Sequence, residues 1–396
     1  MTLHSSSQQQ PDIVCLSHLR WKFVFQRPQH LMSRFAREGR VFYVEEPVFE
    51  DTENKLVQAE CPRTGVLVVT PHLNERDREN ADSTVQLLLK EFLRTNAIVN
   101  PVLWFYTPMA LSWVPPSLDA AAVVYDCMDE LSMFRGASVN LHAMEQQLLK
   151  KADLMFTGGV SLFEAKRDLH RHIYPFPSGV DVTHFRQART MAASSDALAG
   201  GRRTRVGFAG VIDERLDTEL LAECARLKPE WDWIMIGPVV KIDPEALPRP
   251  ENIHWLGMRD YKDLPGFFAE WDVAMMPFAL NDSTRFISPT KTPEFLAAGL
   301  PVVSTAIRDV VRPYGELGLV RIAHSAAEFV QAVEASLAQK SDSAWIERAD
   351  RHLMGLSWDS VWSGMNKLLA SRLRRDQKNT ALPASVDVRE RETAHV

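Results

Sequence analysis

Short apolar runs alternate with amphipathic stretches along most of the chain, a pattern that predicts repeated strand–helix units. Residues 12–17, 41–45, 66–70, 101–106, 121–126 and 154–157 are apolar runs of strand length. Residues 28–37, 84–96 and 141–152 carry helical spacing between them. Nearly continuous apolar runs mark parallel strands buried on both faces. Helices between them imply right-handed crossovers.

The pattern breaks over residues 189–203, which are rich in Ala, Ser and Gly. That stretch reads as a linker. A second alternating series follows, with strands at 205–209, 233–237, 253–256, 273–277 and 302–305. Its helices are expected at 217–226, 261–270, 289–298, 326–338, 344–353 and 358–373. The fold class is therefore α/β, as two doubly wound halves. The expected boundaries are 11–188 and 204–356, a closing helix over 357–375, and a disordered tail over 376–396. Ligands in such sheets bind beyond the carboxyl ends of the strands. Two halves that face each other make a cleft, the natural place for a ligand.

The most telling segment lies between two strands of the second half. Ser288 suits a helix N-cap, Pro289 the first helical position and Gly299 the residue past the helix end. Lys291 and Glu294 are three residues apart and share a face near the helix start. One reading is an exposed ion pair worth a few tenths of a kcal/mol. The other is a nucleotide site, with Lys291 and the free N–H groups on phosphate and Glu294 on ribose hydroxyls.

Bulk composition narrows the partners. The 396 residues are 45% hydrophobic and 24% charged, values of a soluble globular protein of two or three domains. Formal charge is 45 − 51 = −6, which gives no general attraction to nucleic acid. The polar start lacks a signal-peptide core, and no apolar run spans a bilayer. Cys15, Cys61, Cys127 and Cys224 are scattered, as in a reduced cytoplasmic protein with buried thiols.

Several segments resemble the GT-B glycosyltransferases: two facing Rossmann-like domains with a deep interdomain cleft. The likeness is closest to the large retaining bacterial group (group 1, family 4-like) that builds polysaccharides and glycolipids. Ile287-Ser-Pro-Thr-Lys-Thr-Pro-Glu-Phe-Leu-Ala-Ala-Gly-Leu-Pro-Val-Val303 resembles its donor-binding helix. Trp21-Lys-Phe-Val-Phe-Gln-Arg-Pro-Gln-His-Leu-Met32 resembles the opening of a subgroup for cell-surface sugars, sometimes joined to a UDP-galactopyranose mutase. Phe208 to Asp217 is similar to the first turn of the donor domain, and Ser178-Gly-Val-Asp181 with Phe185 to the exit from the acceptor domain. The chain departs from the family twice. Phe286 stands where many members carry a sugar-binding Glu, and Val211 follows Gly210 where an Arg is usual. Arg215 is the expected substitute.

The resemblance implies transfer of a sugar from a nucleotide-sugar, a UDP-sugar being the commonest, to a glycan or lipid-linked acceptor in cell-surface polysaccharide synthesis. The nucleotide-sugar is a substrate, and no further cofactor is expected. No DxD motif sits at a strand end, so no metal is expected. Charge on the leaving phosphate then falls to the helix start, Lys291 and Arg215. Gly210, Gly237, Pro238, Arg285, Ser288, Pro289 and Thr290 complete the expected donor site. On the acceptor side stand Arg27, His30, Asp126 and Asp129. Asp126 ends a strand and is either an acceptor base or a helix cap. In a retaining mechanism the leaving phosphate itself can take the acceptor proton, so no protein base is obligatory. Arg215 is either a phosphate ligand or an exposed arginine at a helix start, and His30 is either a ligand contact or a satisfied polar group. Trp21, Phe23 and Phe25 read as lid, platform or core. Arg372, Arg374 and Arg375 end the closing helix, where the macrodipole favours cations and a membrane surface would as well. Two competing readings are a sugar-nucleotide epimerase and a non-catalytic binder, the latter supported by Phe286.

Overall fold

The computed structural model describes residues 11–191 and 203–380, with side chains through 375. The first sheet comprises β1 (Ile13–Leu16), β2 (Val41–Val44), β3 (Val48–Glu50), β4 (Lys55–Glu60), β5 (Leu67–Asn74), β6 (Val102–Phe105), β7 (Ala122–Cys127), β8 (Leu154–Thr157) and β9 (Ile173–Pro175). Its order is β3-β5-β2-β1-β6-β7-β8-β9, with β4 antiparallel on β5. The second sheet comprises β10 (Arg205–Ala209), β11 (Asp232–Ile236), β12 (Ile253–Gly257), β13 (Val273–Met276), β14 (Val302–Ser304) and β15 (Val320–Ile322). It is wholly parallel in the order β12-β11-β10-β13-β14-β15. The strand order reverses beside β1 and β6 in one sheet and beside β10 and β13 in the other. Each reversal opens a crevice beyond the strand ends.

The strands are buried where the sequence is continuously apolar: all four residues of β1, β2, β6, β8 and β13 are inside. The β3–β4 excursion has no counterpart in the sequence expectation. Only Leu56 of β4 is half-buried, so no clean alternation marks it. β15 and β9, with three residues each, are likewise too short to stand out.

The closing helix Trp358–Thr380 returns to the first half. Asp359 accepts hydrogen bonds from Arg34, and Asn366 donates to Glu38. Trp358 stacks on His30 with 4.3 Å between ring centroids. The helix runs past residue 375, where an end was expected, because no Gly or Pro interrupts residues 374–380. The rest of the expected tail lies outside the described residues, as does most of the expected linker. Arg189, at its start, is docked: it donates to the Leu296 and Ala297 carbonyls and pairs with Asp350 at 2.7 Å.

The halves also touch beside the cleft. Asp309, from the second half, accepts the Ser161 N–H at 3.0 Å. Glu164 pairs with Arg308 at 2.6 Å and Arg312 at 2.8 Å. A Cβ on Gly159 would collide with the Asp309 carboxylate and sit 2.7 Å from Cβ of Ser288. Glycine there permits the halves to close on one another.

Candidate functional site

The segment after β13 forms a helix over Lys291–Ala297, two residues later than expected. Ser288 is not its cap. Thr290 is, in helical conformation and without a side-chain cap bond. Pro289 biases Ser288 toward extended backbone, which delays the helix. Pro293 falls in the first turn, where its missing N–H costs nothing. At the other end Gly299 adopts φ +77°, with Leu300 N–H on the Phe295 carbonyl and Gly299 N–H on that of Leu296. That is a Schellman ending, and Arg189 satisfies the Ala297 carbonyl and adds a second bond to that of Leu296. The helix is therefore fixed at its end and open at its start.

Lys291 Nζ lies 2.7 Å from Glu294 Oε2, with side chains 14% and 5% exposed. It is not an exposed pair. Burial pushes the Glu294 carboxyl up, and the Lys291 ammonium pulls it back. Lys291 lines the cleft, and Glu294 lies behind it.

Two cavities meet at Lys291, Gly210, Val24 and Phe25. The larger, about 380 Å³, has Gly237, Pro238, Met258 and Tyr261 on the second-half side and Trp21, Phe23 and Phe25 on the other. Lys22, Arg63, Arg259 and Lys262 stand around it against one carboxylate, Asp260. The smaller, about 130 Å³, has Ser288, Pro289, Thr290 and Arg215 on one wall and Arg27, Asp129 and Gly158 on the other. Aromatic walls with cations suit a nucleoside bearing phosphates. Gly210 and Gly237 carry a specific burden. Gly237 has φ +147°, and a Cβ there would run into the Gly210 carbonyl oxygen.

Arg215 lies in the loop before the helix Thr218–Leu227, whose cap is Asp217, so it does not start that helix. It is held by Asp213, with Nη2 2.7 Å from Oδ2, and its guanidinium sits 5.2 Å from the Phe134 ring centroid. Burial opposes its charge, and the hydrogen bonds and charge of Asp213 outweigh that. Asp129 faces the same cavity. Burial pushes its carboxyl up, while Arg215 and Arg27 pull it down.

Two acceptor-side expectations change. Asp126 is 0% exposed and Arg27 1%. Arg27 Nη2 is 2.8 Å from Asp126 Oδ1, and Nε is 3.1 Å from both carboxylate oxygens. Arg27 thus seals Asp126 from the cleft, and the carboxylate cannot serve as an acceptor base. Arg27 is also the first helical residue of Arg27–Phe35, with Gln26 at the cap position. His30 is 4% exposed, edge-on to Phe25 at 4.6 Å and stacked on Trp358. Burial first, then Arg34 and Lys291, hold its proton affinity well below that of free histidine. It packs between the halves and lines neither cavity.

Arg285 is exposed, 5.4 Å from the Phe286 ring centroid, outside both cavities. Phe286 packs into the core of the first half. It anchors the loop across the cleft, so it is no longer an argument for an inert binder. Two supporting residues escaped the sequence reading: Asp213, recognisable only as an acid two residues before Arg215, and Arg189, which looks like a linker residue. Among the described residues no group of three or more His, Cys, Asp or Glu is positioned to hold a metal ion. No helix there is long and apolar enough to cross a membrane.

Residues 203–339 match the family model described as glycosyl transferases group 1. TuaH of Bacillus subtilis (strain 168), named as a glycosyltransferase of teichuronic acid biosynthesis, is 26% identical over 264 residues. That match spans 62% of this chain and 66% of TuaH, just under two thirds of the relative. The chain's fold matches sucrose-phosphate synthase from Thermosynechococcus elongatus with a TM-score of 0.68 and 13% identity, covering 94% of this chain and 100% of that one. It matches Anabaena HepE in complex with UDP-glucose with a TM-score of 0.66 and 12% identity, covering 91% and 100%. The architecture is GT-B.

Proposed function

We propose, for a chain whose residues 203–339 are a group 1 glycosyl transferase domain, that the cleft transfers a sugar from a nucleoside diphosphate to a hydroxyl acceptor. The expected carrier is UDP, since HepE is described with UDP and UDP-glucose. The acceptor class is a glycan or lipid-linked sugar of a cell-surface polysaccharide, following the name of TuaH. The observation that carries this reading is Lys291, partly buried on Glu294 where the two cavities join.

The chemistry follows from charge. Breaking the bond to the anomeric carbon places negative charge on the diphosphate. Lys291 turns from Glu294 to meet it, and Arg215 supports it from the smaller cavity. Glu294, uncovered, accepts hydrogen bonds from ribose hydroxyls. In the retaining outcome the leaving phosphate takes the acceptor proton, and Asp129 orients the hydroxyl. Positive charge for this step comes from the protein, so chelation should leave turnover intact.

Thermal unfolding with UDP, GDP, ADP and dTDP tests the donor site without knowledge of the acceptor. Nucleotide at 100 times Kd should stabilise by about 2.7 kcal/mol. Lys291→Ala should abolish that shift, read against the variant's own ligand-free melting temperature, because the buried Glu294 carboxylate loses its partner. No shift with any of the four would sink the reading.

A further inference from the structure

The phosphate side of the cleft is not built from the second half alone. Residues 128–136 leave the end of β7 and reach across to that half. Their root is fixed in the first half. Lys166, with 5% of its side chain exposed, lies 2.7 Å from Glu130 Oε2 and 2.7 Å from Glu145 Oε1. Their tip is fixed in the second half. The Ser283 hydroxyl donates to the Met133 carbonyl at 2.9 Å, and the Arg135 N–H donates to Glu214 Oε1 at 3.1 Å. Phe134 stands between those two bonds.

Its ring meets two cations of the second half. The Arg215 guanidinium lies 5.2 Å from the ring centroid and the Lys241 ammonium 5.0 Å. The loops that carry them are joined through the backbone. The Ile212 N–H donates to the Pro238 carbonyl at 3.0 Å, and the Val240 N–H to the Ile212 carbonyl at 2.9 Å. Like charges gathered at one ring repel. Asp213 balances Arg215, whereas Lys241 makes no ion pair among the described residues. The negative face of an aromatic ring attracts cations without neutralising them. A carboxylate in its place would cancel the charge that a phosphate needs. The excess positive charge is therefore left for an anion.

We propose that Phe134 is a positioning residue for the diphosphate: its ring, supplied by the first half, holds Arg215 on the wall of the smaller cavity with Lys241 beside it. This rests on reading that cavity as the phosphate end of a nucleotide-sugar site. Arg215 lines the cavity and Phe134 lines neither, so the ring acts through the guanidinium. A side chain preset for its ligand loses less freedom when the ligand binds.

The ring acts on charge, so uridine, which carries none, is the control for UDP. Both are titrated against the full chain by ligand-observed NMR, which also reads weak binding. The proteins are the wild type, Phe134→Leu, Phe134→Tyr, Arg215→Ala and the double variant Phe134→Leu with Arg215→Ala. Leucine keeps apolar bulk and loses the ring face, and tyrosine keeps the face. Phe134→Leu should weaken UDP about three- to tenfold, the strength of one partly buried cation–π contact, and leave uridine unchanged. Phe134→Tyr should restore most of the affinity. With Arg215→Ala already present, the leucine should cost no more than about a further twofold, because the two side chains act as one unit. Unchanged UDP affinity in Phe134→Leu overturns the proposal. Equal losses for UDP and uridine overturn it too, since the ring would then support only the shape of the cleft. So does the same loss with and without Arg215. If the wild type binds no UDP, the donor reading itself falls, and this proposal with it.

Discussion

Replacing Asp126 with Asn decides between two roles for the best-buried carboxylate near the cleft. The native pair is sealed, with side chains 1% and 0% exposed and three contacts of 2.8, 3.1 and 3.1 Å. Asp126→Asn removes the charge that balances Arg27 and leaves it two neutral acceptors, the amide oxygen and the Phe176 carbonyl at 2.7 Å from Nη1. Breaking one partner of a buried pair costs about 3–5 kcal/mol because the other charge is stranded. For a half of this size that lowers the melting temperature by about 6–20 °C. The measurement is a thermal or urea melt of Asp126→Asn, Arg27→Met and the double variant. The double variant should recover much of the loss, since neither charge is left alone. If Asp126→Asn melts with the wild type and loses turnover, the carboxylate is reaching substrate and the sealed-pair argument is wrong.

Two further substitutions test the same geometry. Gly237→Ala should destabilise by at least about 2 kcal/mol through a strained φ and the Gly210 clash, and should weaken UDP binding more than a distant substitution of equal cost. Isothermal titration at matched folded fraction separates the two effects. Asp359 is held below the usual aspartate range, first by its hydrogen bonds to Arg34. Its folded pKa is depressed, so its stabilisation is complete above the unfolded value near 3.8 and disappears as pH falls through the folded one. Asp359→Asn should therefore lower the melting temperature modestly at neutral pH and make the acid limb below about pH 4 shallower.

Most of the layered architecture was legible because parallel strands buried on both faces must be apolar throughout, as β1, β6 and β13 are. The excursion through β3 and β4 was not, since an exposed edge needs no periodic pattern. In the site, the pairing of Lys291 with Glu294 followed from helical spacing alone. What it missed was depth. Nothing local tells that Asp126 lies behind Arg27, because the two are 99 residues apart and meet only when β7 and the opening helix pack. His30 misled in the same way: a polar residue at a helix start became an aromatic spacer once the closing helix laid Trp358 on it.

Phe286 bears on inheritance. Its backbone belongs to the second half, yet its ring is housed in the core of the first. Ser283, three residues earlier, donates to the Met133 carbonyl at 2.9 Å. The loop leading into Lys291 is therefore shaped by both halves at once. A chimaera that joins this second half to a foreign first half would carry an aromatic plug without a socket, and would misplace the residues that follow it. The two halves look like interchangeable modules, but they are bound to diversify together.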